Sequence, residues 1–190
     1  MDVYFLVEEP SMEAVLNIIL PRILIDKTFQ VFPHQGKSDL QKSIVKRIRN
    51  LSHSFPDAKF VVLQDKDSSD CRLLKAQLLA LCSEAGVENA LVRIVCHELE
   101  NWLLADMEAI ERAFELSGFT SKYQNRAKYR VIDSIANSAE EISKLVRGYP
   151  RKVTGAAKVA THMNINRNRS HSFGVFISGI RRLLELEEVC

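Results

Sequence analysis

Four short β-prone runs punctuate the chain: Val3–Val7, Thr28–Phe32, Phe60–Leu63 and Leu91–Val95. The first and third are apolar throughout, the pattern of strands buried on both faces. Between the runs, apolar residues return at helical spacing. Ser11 to about Leu24 reads as a helix that Pro21 kinks or ends, with Ser11 as its N-cap. Ser38 caps a second helix carrying Leu40, Ile44, Val45, Ile48 and Leu51. A third spans Asp70 to about Ala85 and stops at Gly86. Beyond the last strand only helices follow: Glu98–Ala105, Met107–Leu116, Lys128–Ala136, Ala139–Val146, Gly155–His162 and Ser172 to about Leu186.

Strands alternating with helices predict βαβ units, hence an α/β fold with a mainly parallel four-stranded sheet flanked by helices. Strand signals stop near Gly118. The expected organisation is an α/β core over residues 1–118 and a helical extension over 119–190, packed on the core as one unit.

The 190 residues carry a net charge of only +2, but the charge is uneven. Residues 121–190 hold 13 Lys and Arg against 6 Asp and Glu, and no acidic residue lies between Ile142 and Leu184. An acidic body with a basic last third suits a metal site beside a polyanion surface, although a solvated helix face reads equally well from charge alone. The four cysteines form no CxxC pair, which argues against a zinc site or a disulfide framework. With no basic, apolar leader at Met1 and no membrane-length apolar stretch, the expectation is a soluble cytoplasmic protein without a membrane partner.

In parallel α/β sheets, ligands bind beyond the C-terminal strand ends. Here those ends bring Glu8 and Glu9 after the first run, Asp65-Lys66-Asp67 after the third, and His97, Glu98 and Glu100 after the fourth. Clustered carboxylates repel unless a cation compensates them, and an oxygen-only set favours Mg²⁺ or Mn²⁺ over zinc. For any one such residue, helix capping is the simpler reading. Three strand ends together point to metal.

These segments resemble the TOPRIM (topoisomerase–primase) family. VEEPSME from Val7 is similar to the family's VEGxxE opening, and VVLQDKD to its strand followed by Asp-x-Asp. The whole series, continuing through QGKSDL, KDSSDCRLLKAQL, RIVCHELENWLLAD and AAKVATHMNINRNRSHSF, resembles a branch related to the OLD-type nucleases, catalogued as domain of unknown function 4276 and including RloG-like proteins. The resemblance implies a TOPRIM-like Rossmannoid and a Mg²⁺- or Mn²⁺-dependent nuclease. Glu8, Asp65 and Asp67 match catalytic positions and, with Glu98 and Glu100, the metal ligands; Glu13 matches a further acidic position. Glu9 stands where the motif has Gly, and Met12 where many relatives are acidic.

The resemblance also implies an effector or toxin subunit in anti-phage defence, gated by an ABC- or SMC-like ATPase. Self-association is left open. Lys37, Lys66, Lys152, Lys158, His162, Arg167 and Arg169 are the candidate phosphate contacts, the bound polymer being DNA or RNA. The segment Asn164–Ser172 is a candidate anion site at the start of the last helix. The alternative is a TOPRIM-fold subunit that binds nucleic acid or a partner without catalysis. A haloacid-dehalogenase-like phosphatase or a receiver domain would want Asp after the first strand, where Glu8 and Glu9 stand, and a P-loop would need Gly where Val31 stands.

Overall fold

The computed structural model describes residues 2–150 and 152–185. Four parallel strands, β1 (Asp2–Val7), β2 (Thr28–Pro33), β3 (Lys59–Asp65) and β4 (Leu91–Val95), form one sheet in the order β2-β1-β3-β4. The chain steps outward from β1 to β2, then returns past β1 to β3. That reversal makes the gap between β1 and β3 the switch point of the sheet.

Even and odd positions of β1 face different cores. Val3, Phe5 and Val7 pack with α1 (Pro10–Ile19) and the helices after β4. Tyr4 and Leu6 pack with α2 (Lys37–Ser54) and α3 (Cys71–Glu84). Each buried face calls for its own helical layer, so the two-residue strand period sets the three layers.

Local chemistry explains the boundaries. Pro10 occupies the first turn of α1, where a missing N–H costs nothing. Glu9 is its N-cap; Ser11 lies inside the helix and donates to Glu9 Oε1 at 2.6 Å. Pro21 falls in a short 3₁₀ turn that closes the helix. The N-cap of α2 is Gly36 at φ +99°, not Ser38. Asp70 caps α3 by accepting from the N–H groups of Arg72 and Leu73, both at 2.9 Å.

After β4 come α4 (Glu100–Leu104), α5 (Met107–Ala113), α6 (Phe119–Tyr123), α7 (Ser138–Leu145), α8 (Lys152–His162) and α9 (His171–Leu183). The helix expected over Lys128–Ala136 is instead two 3₁₀ turns, Ala127–Tyr129 and Ile132–Ser134. Asn101 Nδ2 donates to the carbonyls of Ile132 (2.8 Å) and Ile135 (2.9 Å), so this backbone is held by a side chain from α4 rather than by its own ladder. The last helix was expected to reach Leu186, which lies outside the described residues.

Residues from both sides of Gly118 share one hydrophobic cluster, in which Met12 and Leu16 of α1 join Val159 of α8 and Phe173 of α9. Trp102 sits at its centre, fully buried, edge-on to Phe173 at 5.1 Å, with its indole N–H donating to Ser172 Oγ at 2.9 Å. Trp102→Phe removes that donor and part of the ring volume. We expect a loss of about 1–3 kcal/mol, read as a lower urea midpoint by circular dichroism. An unchanged midpoint would show that the contact carries no net stability.

Candidate functional site

The crevice lies where the switch point predicts. Val7 pairs with Leu63 across β1 and β3, so the next residues meet at the open edge. Glu8 Oε2 accepts from the backbone N–H of Asp65 at 3.1 Å. Asp65 is the last residue of β3 and is buried, and its Oδ1 has no hydrogen-bond partner. Glu100, in the first turn of α4, is fully buried, and neither of its carboxylate oxygens has a partner.

These groups are held against ionisation. Burial raises the Glu8 pKa, partly offset by the Asp65 N–H, with Asp67 and Glu9 adding repulsion. Burial pushes Asp65 well above the usual carboxylate range, and Glu8, Glu9 and Glu100 push it further. Burial lifts Glu100 to about 7 against the pull of Lys152.

Lys152, the first residue of α8, supplies a positive charge here. Its Nζ lies 2.6 Å from Glu9 Oε1. Burial alone would lower its pKa, but Glu100, Glu9 and Asp65 outweigh burial and hold it above its ordinary value. The residue expected to contact phosphate thus sits among the carboxylates, a placement with no sequence signal. Glu9 enters the sequence reading as a strand-end carboxylate and as a departure from the family glycine. Its φ of −149° is extended backbone that any residue adopts, so the missing glycine leaves the turn unstrained. Tyr149, over Gly155 of α8, adds a buried hydroxyl without a partner; burial and Glu100 raise its pKa.

The other expected ligands, Asp67 and Glu98, lie close enough to repel Glu8 and Glu100 but are engaged by other partners. Asp67 is partly exposed and pairs with Lys37 at 3.3 Å. Glu98 Oε2 accepts from Ser138 Oγ at 3.0 Å and from the Ala139 N–H at 2.9 Å, serving the first turn of α7. Glu13 is half-buried on α1, one turn after Glu9. Asp67 and His97 both adopt left-handed backbone, at φ 48° and 60°, and are joined by a 3.0 Å bond from the Asp67 N–H to the His97 carbonyl. Two non-glycine residues in that region mark stored strain beside the crevice.

The unpartnered oxygens of Asp65 and Glu100 suit a hard divalent cation in donor chemistry. Glu8, Asp65 and Glu100 are the residues that would hold it. Among the described residues, no three His, Cys, Asp or Glu side chains already stand in an ion-binding arrangement.

Much of the basic last third serves the fold. Arg167 forks onto Asp106 at 3.0 and 3.2 Å and reaches Glu108 at 2.7 Å. Arg169 donates to the carbonyls of Gln124 (3.1 Å) and Tyr129 (3.2 Å). Lys158 lies over the Phe114 ring at 4.9 Å. Lys66 is half-buried and His162 exposed. The expected anion site at the start of α9 already holds an internal anion: Asp133 accepts from the Ser172 N–H at 2.8 Å and from Ser170 Oγ at 2.7 Å.

Fold and crevice together define a doubly wound α/β protein with buried carboxylates at its switch point. The chain belongs to the family described as domain of unknown function (DUF4276), which matches residues 7–181. It is similar in structure to the C-terminal region of the OLD protein of Xanthomonas campestris pv. campestris, with a TM-score of 0.50 and 16% identity over 97% of this chain and 96% of that one. At that identity the likeness is one of fold. No curated protein matches the chain.

Glu100 gives the site a pH signature. In the unfolded chain its carboxyl ionises near 4.5, and in the folded metal-free protein near 7. The folded state therefore keeps a proton that the unfolded state has lost, so Glu100 costs stability progressively as pH rises from 4.5 to 7. Glu100→Gln should stabilise the metal-free protein at pH 8, by on the order of 3 kcal/mol, with the difference vanishing near pH 4. Urea melts of both proteins across this range check it. A difference independent of pH would show that Glu100 ionises freely.

Proposed function

We propose that this protein is a TOPRIM-type nuclease that cuts phosphodiester bonds with Mg²⁺ or Mn²⁺ held by Glu8, Asp65 and Glu100. The carrying observation is the set of buried oxygens without partners, Asp65 Oδ1 and both oxygens of Glu100, beside Glu8 at the switch point. A divalent ion supplies Lewis-acid polarisation of a phosphate and a lowered pKa for bound water. The chain's own residues do the rest. Glu8 braces Asp65 through its backbone N–H, the low-exposure crevice limits water, and Lys152 offers positive charge to a phosphate oxygen. Asp67 and Lys37, paired at the rim, are placed to exchange their mutual contact for substrate and ion. The motif resemblance to the OLD-type nucleases set out above supports extending the reading to a defence effector whose cutting is gated by an ABC- or SMC-like ATPase.

One observation favours a second reading, a TOPRIM-fold subunit that binds nucleic acid or a partner without cutting. Lys152 already compensates part of the acidic crevice through Glu9. A built-in ammonium is what a site retired from metal chemistry would keep.

Incubation with plasmid, single-stranded DNA and total RNA, with Mg²⁺ or Mn²⁺ and with EDTA, separates the two. The nuclease reading expects metal-dependent cleavage that falls by about 10²-fold or more in Asp65→Ala, with the melting temperature retained. Binding without cleavage by the wild-type protein supports the second reading instead.

A further inference from the structure

Several basic residues that take part in no ion pair among the described residues lie on α2, in the first half of the chain. Its outer side and the edge strand β2 enclose an open groove of about 420 Å³, lined by Phe32, Lys42, Ser43, Lys46, Arg47, Asn50 and Leu51. None of the lining residues is acidic, and among the described residues Lys42, Lys46 and Arg47 take part in no ion pair. This contrasts with Arg167 and Arg169, which are bound to a carboxylate and to carbonyls.

Two further features suit a ligand with both phosphate and flat apolar surface. The Arg47 guanidinium lies over the Phe32 ring at 4.6 Å, presenting a planar cation at the groove floor. Arg47 Nε is buried and has no hydrogen-bond partner. Such an uncompensated cation beside an aromatic ring is the pairing that tracks a nucleic-acid backbone and stacks its bases.

The helix that walls the groove also reaches the crevice. At the head of α2, Lys37 contacts Asp67, and Gln41 Nε2 donates to Gln64 Oε1, the residue before Asp65, at 3.1 Å. From Lys37 to Lys46 the helix axis advances only about 14 Å.

We propose that the groove between α2 and β2 binds the phosphodiester backbone of a single nucleic-acid strand and leads that strand to the crevice at Glu8 and Asp65. The inference rests on the nucleic-acid reading above, but it concerns docking rather than cleavage. A single strand fits better than a duplex, because a one-helix wall beside the stacked, half-buried Arg47 and Phe32 suits unpaired bases.

The test uses full-length Asp65→Ala protein in EDTA, so that no cleavage is required. Fluorescence anisotropy follows a labelled single-stranded DNA 20-mer at about 100 mM salt, a concentration at which a contact-dependent loss is readable. Adding Lys42→Glu and Lys46→Glu should raise Kd by about 10-fold or more and lower the salt slope by about 1.4, two contacts at about 0.7 each. Lys42→Gln with Lys46→Gln should fall between. Lys144→Glu with Arg147→Glu, exposed basic positions away from the groove, should change Kd by less than about 2-fold. Circular dichroism melts confirm folding. The proposal is overturned if the α2 variant binds like its parent, if the Lys144/Arg147 variant loses as much, if duplex DNA competes better than the single strand, or if the parent binds no oligonucleotide. Wild-type protein that binds through α2 but never cuts would leave this inference standing and sink the nuclease reading.

Discussion

The structure depends on keeping carboxylates out of water at the gap between β1 and β3. Reversal of strand order there sets Glu8 beside Asp65, and α4 brings Glu100 into the same interior. Ionised carboxylates in such a place are costly, and mutual repulsion raises the cost. Protons and one lysine meet it in the metal-free protein. The raised pKa values of Glu8, Asp65 and Glu100 reflect the first remedy, and the Lys152–Glu9 pair is the second.

That demand explains why the helices after β4 are built as they are. Lys152 reaches the crevice only if α8 is held firmly along its length. At the C-terminal end of α8, Arg22 donates to the carbonyls of Ala160 (3.4 Å), Thr161 (2.9 Å) and Met163 (2.8 Å), where a cation also meets the negative end of the helix. Near its start, Gly155 lets the Tyr149 ring pass where any Cβ would collide. Just beyond, Asp106 caps α5, accepts from the Asn164 N–H at 2.8 Å and receives Arg167. Arg22 and Arg167 are thus fastenings for the element that delivers one ammonium.

This division of labour marks what the sequence could disclose. A parallel sheet follows from strand type and βαβ connection, and the acidic residues at strand ends were visible because such a sheet gives those positions a common edge. What stayed hidden were pairings between residues distant in the chain. Charge counting treats Arg167, Arg169 and Lys152 alike, yet one is spent on Asp106, one on backbone carbonyls and one on Glu9. The stretch 127–134 has helical composition, but Asn101 claims its carbonyls and Asp133 turns to the start of α9. Tertiary hydrogen bonds override propensity where the local ladder has a better-placed competitor.

The same electrostatics frame both readings of the crevice. Glu8, Glu9, Asp65 and Glu100 face the ammonium of Lys152, with Lys37 acting on Glu8 from the rim where it pairs with Asp67, so full ionisation still leaves a negative excess. A subunit with no metal chemistry can relieve that excess only by keeping protons on Asp65 and Glu100, and near neutral pH the proton on Glu100 is already half lost. A divalent cation relieves it without protons and gives the unpartnered oxygens a ligand to share. Lys152 does not exclude such an ion, because its direct contact is Glu9 rather than Asp65 or Glu100. The buried carboxylate oxygens that lack a partner, Asp65 Oδ1 and both of Glu100, belong to this crevice, which is why the nuclease reading accounts for more of it than the binding module does.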